Sequence, residues 1–379
     1  MKISKTIILP QDWEKKKLKE VITEIKDGGT PSRSKPEYFG GDIGWCVVKD
    51  ITPKIYSTRE TLTELGLSKC SAKVWPINSV IISLGATIGQ VGIAKIPVAT
   101  KQGISGIVVK ENLLNVEYLV YYLNFKKEFI QESATGATIK EIRPTKLAEI
   151  IEIPLPPLPE QQRIVAILDD AFAKIEKAKA NAEQNLKNAK ELFESYLQRV
   201  FENKGDDWEE KRFDEICILQ RGFDLPTHSR KVGKYPLVSS NGITDRIDLC
   251  KVKAPGVVTG RSGTIGNVHF IEEDYWPLNT ALYIKEFFGN YERYIYYFLK
   301  QFDLSKYSSG AGVPTLNRNN VHSERVYFPN SKNEQKVIVQ KLDALSDETK
   351  KLEAIYNQKI KDLEELKKSV LQKAFNGEF

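Results

Sequence analysis

A chain of 379 residues with 41% hydrophobic side chains is too long for one ordinary domain and suits two or three packed cores. Its formal net charge of +6 fits a nucleic-acid partner without demanding one. The four cysteines, Cys46, Cys70, Cys217 and Cys250, show no paired spacing and no neighbouring histidine ligands. That argues against a disulfide scaffold or a Cys/His metal site and predicts reduced thiols in the cytoplasm. No window approaches the ~20 apolar residues that span a bilayer, and the apolar run within "MKISKTIILPQDWEKKK" is too short for a signal peptide.

In chain order, residues 1–159 alternate β-branched runs such as "SVIISL" with turns and hold one clear helix around 116–132. Residues 160–204 contain no proline and are rich in Ala, Leu, Glu, Lys and Gln, which predicts one long helix. Residues 205–333 return to short strands such as "GVVTG", with a helix around 291–302. Residues 334–379 predict a second long helix. The chain is therefore written twice. "ATIGQVGI" (86–93) resembles "GTIGNVHF" (263–270), "EQQRIVAILD" (160–169) matches "EQKVIVQKLD" (334–343), and "LQRVFEN" (197–203) matches "LQKAFNG" (371–377). The fold class is α+β: two globular domains alternating with two long helices in an internal pseudo-two-fold repeat.

A heptad-like seam runs through Ile164, Leu168, Ala171, Ile175, Ala178, Ala182, Asn185, Ala189, Leu192 and Tyr196, and recurs through Ile338, Leu342, Leu345, Thr349, Leu352, Tyr356, Lys359, Leu363, Leu366 and Val370. Mostly apolar at this spacing, the two stretches predict an antiparallel coiled coil, with Asn185 against Thr349 as a polar pair fixing register. At the first junction, "PLPPLPEQQ" predicts a rigid collar of Pro154, Pro156, Pro157 and Pro159, with Pro159 in the first helical position and Glu160 in the first turn. Only Pro329 remains before the second helix, which predicts a looser second junction.

On these motifs the chain resembles the specificity subunits of type I restriction–modification systems. The resemblance covers essentially the whole length. Its most specific carriers are "IPLPPLPEQQRIVAIL", "GGTPSRSKPEYFGGDIGWCVVKDI" (28–51), "LQRGFDLPTHSRKVGKYPLVSSNGI" (219–243) and "TGRSGTIGNVHF" (259–270), in this order on a duplicated frame. It implies that target recognition domains at 1–159 and 205–333 each read one half of a split double-stranded DNA target. Helical spacers at 160–204 and 334–379 would set the gap and be gripped by two methyltransferase subunits. Nuclease–translocase subunits would complete the restriction complex. S-adenosylmethionine, ATP and magnesium would belong to those partners, with no cofactor in this chain.

No catalytic machinery is legible. An Asn/Asp-Pro-Pro-Tyr loop is missing, and "GRSGTIG" (260–266) lacks the lysine of a phosphate-binding loop and reads as a tight turn. The histidines, His228, His269 and His322, are scattered, so no catalytic or metal residues are expected. DNA contacts need cations, amides and hydroxyls on loops. In the first domain the candidates are Thr30, Ser32, Arg33, Ser34 and Lys35 after two glycines read as flexible, then Lys140, Arg143 and Lys146 within 135–146. In the second they are Arg221, Arg230, Lys231, Ser239, Ser240, Asn241, Arg261, Ser262, Asn317, Arg318 and Asn319.

Overall fold

A computed structural model describes residues 9–136, 140–310 and 314–379. Part of the N-terminal segment weighed as a leader (1–8), and positions 137–139 and 311–313 of the two candidate loops, lie outside the described residues. The chain forms two compact units: Met1–Asn181 with Lys359–Phe379, and Ala182–Gln358. Two long helices, Leu158–Glu202 and Lys332–Asn376, each contribute to both units.

In the first unit a five-stranded sheet runs Ile22–Asp27, Ile104–Val109, Val80–Ser83, Val91–Ala94, Lys54–Ile55, beside a four-stranded sheet built on Phe39–Cys46. Val80–Ser83, Val91–Ala94 and Val98–Thr100 are buried at every position, as continuous β-branched and small runs lead one to expect. The helix Val116–Phe125 packs Leu119 and Leu123 onto this sheet, and the core closes with Ile164 and Leu168 from the first long helix. The end of the second long helix joins the same core. Phe375 sits with ring centroids 5.3 Å from Tyr118, 4.9 Å from Tyr122 and 5.4 Å from Phe125.

The second unit repeats this plan. Its four-stranded sheet runs Ile218–Arg221, Ala281–Glu286, Gly256–Gly260, Val268–Ile271, with a three-stranded sheet on Val232–Ser239. The helix Glu292–Gln301 packs with Phe193 and Leu197 of the first long helix and Val339 and Leu342 of the second. Phe201 takes the ring-cluster place that Phe375 holds in the first unit, 5.5 Å from Tyr294 and 6.0 Å from Phe298. The paired "LQRVFEN" and "LQKAFNG" endings are thus two copies of one aromatic plug.

Within the first unit the long helices run antiparallel. Glu176 pairs with Lys367 and Lys179 with Glu364, so three residues forward in one helix match three back in the other. The buried seam differs from the heptad reading at several places. In the second unit Asn185, Leu192 and Leu352 are exposed while Leu186 is half-buried and Phe193 buried; in the first, Leu366 is exposed and Lys359 gives way to Ile360. A straight helix drifts against a strict 3.5-residue repeat, and the apolar neighbour one residue on is taken up. Thr349 is buried, yet its hydroxyl donates to the carbonyls of Leu345 and Ser346 on its own helix at 3.0 Å, so no Asn185–Thr349 pair sets the register.

The junctions correct a second expectation. Each domain leaves through a strand in a two-stranded antiparallel sheet: Glu152–Leu155 with Glu14–Lys17, and Arg325–Pro329 with Trp208–Arg212. Each long helix then anchors through a buried glutamine. Gln161 Nε2 donates to the carbonyls of Pro156 (2.8 Å) and Leu113 (2.9 Å), and its Oε1 accepts the Asn115 N–H (2.8 Å). Gln335 Nε2 donates to the Pro329 carbonyl (3.2 Å) and Asn290 Oδ1 (2.9 Å), and its Oε1 accepts the Tyr291 N–H (2.7 Å). The second junction carries the same tie without the prolines. It adds a helix cap, with Ser331 Oγ accepting the Glu334 N–H at 3.3 Å. Pro159 is the second helical residue of Leu158–Glu202, where it likewise needs no N–H partner.

Candidate nucleic-acid interface

In the second domain the turn at 260–266 ties two loops to the end of the sheet. Arg261 N donates to the Thr280 carbonyl (2.9 Å), and the Arg261 carbonyl accepts the Leu316 N–H (2.8 Å). Thr264 Oγ1 donates to the Ser240 carbonyl (2.8 Å) and to Asn241 Oδ1 (2.7 Å). Gly263 and Gly266 take φ of +85° and +89°, the left-handed region that only glycine enters freely, so the run is a tight turn as read.

Beside this turn Arg221, Arg261, Arg318, Asn317 and Asn319 line one cleft of about 390 Å³. Arg221 Nη2 reaches both carboxylate oxygens of Asp224 at 3.1 Å. Arg318 Nη1 donates to the Leu219 carbonyl at 3.3 Å and to Gln220 Oε1. The Arg261 side chain makes no hydrogen bond or ion pair among the described residues. Three guanidinium groups thus share one recess, and among the described residues Asp224 is the only carboxylate paired with them, an arrangement that favours an anion or a strong acceptor.

Most other second-domain candidates make contacts within their own turns and strands. Arg230 braces its turn by donating to the Leu225 carbonyl from Nε (3.1 Å) and Nη2 (3.0 Å). Ser239 Oγ accepts the Asn241 N–H at 3.1 Å, and Ser240 is buried. Ser262 forms a β-bridge with Thr315, while Lys231 is exposed.

The first-domain loop is less free than its sequence suggested. A Cβ on Gly28 would lie 2.1 Å from the Thr100 carbonyl oxygen, and one on Gly29 2.4 Å from Ala72 N, so these glycines permit close packing and not flexibility. Arg33 is held on one side: its guanidinium makes two hydrogen bonds to Glu60 (2.5 and 3.1 Å) and lies 4.9 Å from the Phe39 ring and 5.0 Å from that of Trp45, with its other side exposed. The guanidinium holds the Glu60 carboxyl below its ordinary value. Ser32 and Ser34 bond each other at 2.9 Å, Lys35 is exposed and Thr30 half-buried. Lys140 and Arg143 are exposed, while Lys146 Nζ donates to the Ser133 carbonyl at 2.9 Å. Among the described residues no hydrogen bond, ion pair or ring contact joins the 30–35 loop to these three.

Register identifies the first-domain counterparts of the arginine cleft. Leu282 pairs with Arg221 and Ser105 with Asp27 in the same sheet position. Leu316 N donates to the Arg261 carbonyl as Ile142 N does to the Leu84 carbonyl (2.9 Å). The helices Arg318–His322 and Pro144–Ile150 begin at matching places after these contacts. Asp27, Leu84 and Pro144 therefore stand where the second domain has three arginines. Asp27 accepts from Gly103 N–H at 3.1 Å; burial raises its carboxyl above the ordinary value, an effect those hydrogen bonds oppose.

Among the described residues no group of three or more His, Cys, Asp or Glu is placed to hold a metal ion, and no helix is long and apolar enough to cross a membrane.

The family described as the type I restriction modification DNA specificity domain matches residues 10–185 and again 205–362. The type I restriction enzyme MjaIX specificity subunit of Methanocaldococcus jannaschii is 34% identical over 238 residues, covering 58% of this chain and 54% of that protein, so the chain spans about half the length of this relative. The EcoprrI specificity subunit of Escherichia coli is 24% identical over 349 residues, 86% of each chain. In fold, the chain matches one from a structure on complex assembly and conformational transition of the type I R-M system, with TM-score 0.83, 18% identity, and 98% and 100% of the two chains covered. It also matches the HsdS subunit from Thermoanaerobacter tengcongensis with TM-score 0.63, 18% identity and 98% of both chains. With one copy of the matched domain in each half, a long helix closing each copy, and the same architecture in solved relatives, the chain belongs to the type I restriction–modification DNA specificity family.

Proposed function

We propose that the chain is the DNA sequence-specificity subunit of a type I restriction–modification complex, in which 1–159 and 205–333 each read one half of a bipartite target. The observation that carries this is the family domain occurring twice, each copy closed by a long helix. The spacers 160–204 and 334–379 set the distance between half-sites and dock two methyltransferase subunits. In support, apolar side chains stand exposed on the paired helices, among them Leu192, Val337, Ile355 and Leu366. Methylation and cleavage belong to partner subunits, which bring S-adenosylmethionine, ATP and magnesium; this chain selects and positions.

The test is long-read methylation mapping in cells carrying the chain and its matching methyltransferase. A split methylated target is expected, and exchanging 1–159 for the corresponding domain of a relative should change one half only. A map that stays the same after the exchange overturns the reading. Binding of duplex DNA by the assembled complex should weaken steeply with salt, because phosphate contacts release counterions.

A further inference from the structure

We propose that Arg261, flanked by Arg221 and Arg318, reads a guanine in the half-site of the second domain. This rests on the chain being a specificity subunit and names the chemistry of one reading position. Arg221 and Arg318 are each tied through one nitrogen, to Asp224 and to the Leu219–Gln220 edge, which leaves their other donors for a ligand. Arg261 lies between the turn and the 315–318 segment, half-buried, with its five donors unclaimed among the described residues. A guanidinium fork matches the O6 and N7 acceptors on the major-groove edge of guanine.

The choice of a base over a phosphate comes from the duplication. Gripping the sugar–phosphate backbone is the same task in both domains and gives equivalent positions no reason to differ. Sequence is what the two domains must read differently. At the first two matched positions the backbone contacts are kept, and at the third the helix start, while the chemistry changes from Arg221, Arg261 and Arg318 to Asp27, Leu84 and Pro144. A carboxylate, an alkyl group and an imino acid cannot donate to guanine. The divergence at conserved geometry is what a base-reading position requires. Asn319, lining the same cleft, supplies an amide for a neighbouring base, while Asn317 Oδ1 accepts the Asn319 N–H at 3.1 Å as the cap of the helix.

The experiment uses the full chain with its methyltransferase subunits, the half-site of the second domain being identified by exchange of 205–333. Wild-type maps should show a required guanine in that half. Arg261→Ala should relax the preference at that base at least about fivefold and leave the other half unchanged. Arg261→Lys, which keeps the charge but loses the fork, should relax it as well. In vitro, a duplex with 7-deazaguanine at that position, lacking only the N7 acceptor, should bind the wild-type complex more weakly by a similar factor and the Arg261→Ala complex no more weakly than its parent duplex. Uniform weakening on every sequence by Arg261→Ala, with rescue by lysine, would make this a phosphate contact and overturn the inference. So would a 7-deazaguanine scan of the half-site without effect, a result that does not depend on any variant folding. A wild-type map with no split target would overturn the specificity-subunit reading itself, and this inference with it.

Discussion

The two recognition domains share a strand register and part company in what they mount on it. Arg261 in the second domain is a side chain with no hydrogen bond or ion pair among the described residues; Leu84, at the matching place, is sealed in the first-domain core at 2% exposure. Arg221 faces an exposed Asp224, whereas Asp27 is folded back onto Gly103 and Ser105. Duplication kept the scaffold because every backbone hydrogen bond at the site belongs to the fold. It released the side chains because few of them do. In the first domain Arg33 went the other way, held on one side by Glu60, Phe39 and Trp45 while about half exposed on the other.

The sharpest break of this comparison is reciprocal exchange. Leu84→Arg places an unpaired charge in a closed core and should cost roughly 3–5 kcal/mol, while Arg261→Leu should stay within about 1 kcal/mol; chemical denaturation of the purified chain measures both. If Leu84→Arg is tolerated, the two clefts are less different than their burial indicates. Next come the aromatic plugs. Phe375→Ala should cost about 3–5 kcal/mol, and Phe201→Ala, only half-buried, distinctly less. Then the buried glutamines: Gln161→Ala and Gln335→Ala each orphan buried backbone or amide partners and should each cost about 2–3 kcal/mol. Equal losses would show that the prolines of the first junction add nothing to its anchoring; a much smaller loss at Gln335 would restore the idea of a looser second junction.

The smallest effects separate the neighbouring glutamates by sign. Glu160 is held below the ordinary carboxylate value by the hydrogen-bonded Arg163, so its contribution is present at neutral pH and lost as pH falls through the depressed value. Glu334 is pushed above the ordinary value by burial and by the adjacent Asp207, so its ionisation opposes folding, and stability falls as pH rises through the raised value. Glu160→Gln should therefore lower the thermal midpoint slightly at pH 7, and Glu334→Gln, which keeps an acceptor for Trp208 Nε1, should raise it. Both differences should shrink in acid.

How much of this the sequence carried depended on range. The repeat, the long helices and the Glu-Gln helix starts were legible because each rests on residues adjacent in the chain. Ser331 with Glu334 three residues on is a capping signal that could have been read and was not. The seam slipped by one residue because a straight helix drifts against a strict 3.5-residue repeat, which brings Leu186, Phe193 and Ile360 inward. Arg33 looked free because Glu60, its partner, is 27 residues away. The flexible-seeming Gly28 is packed on Thr100. The arginine cleft draws on three separated segments whose convergence needs strand register, so its members could be named singly but not as a site.

The seat of Phe375 has a consequence for how the chain is made. The core of the first unit includes Leu371, Ala374 and Phe375, while the second unit is contained within Ala182–Gln358. During synthesis the second unit has all of its residues before the first has those last three. The order of translation is therefore the reverse of the order in which the two cores become complete, and the domain made first waits, unfinished, for the last turns of the last helix.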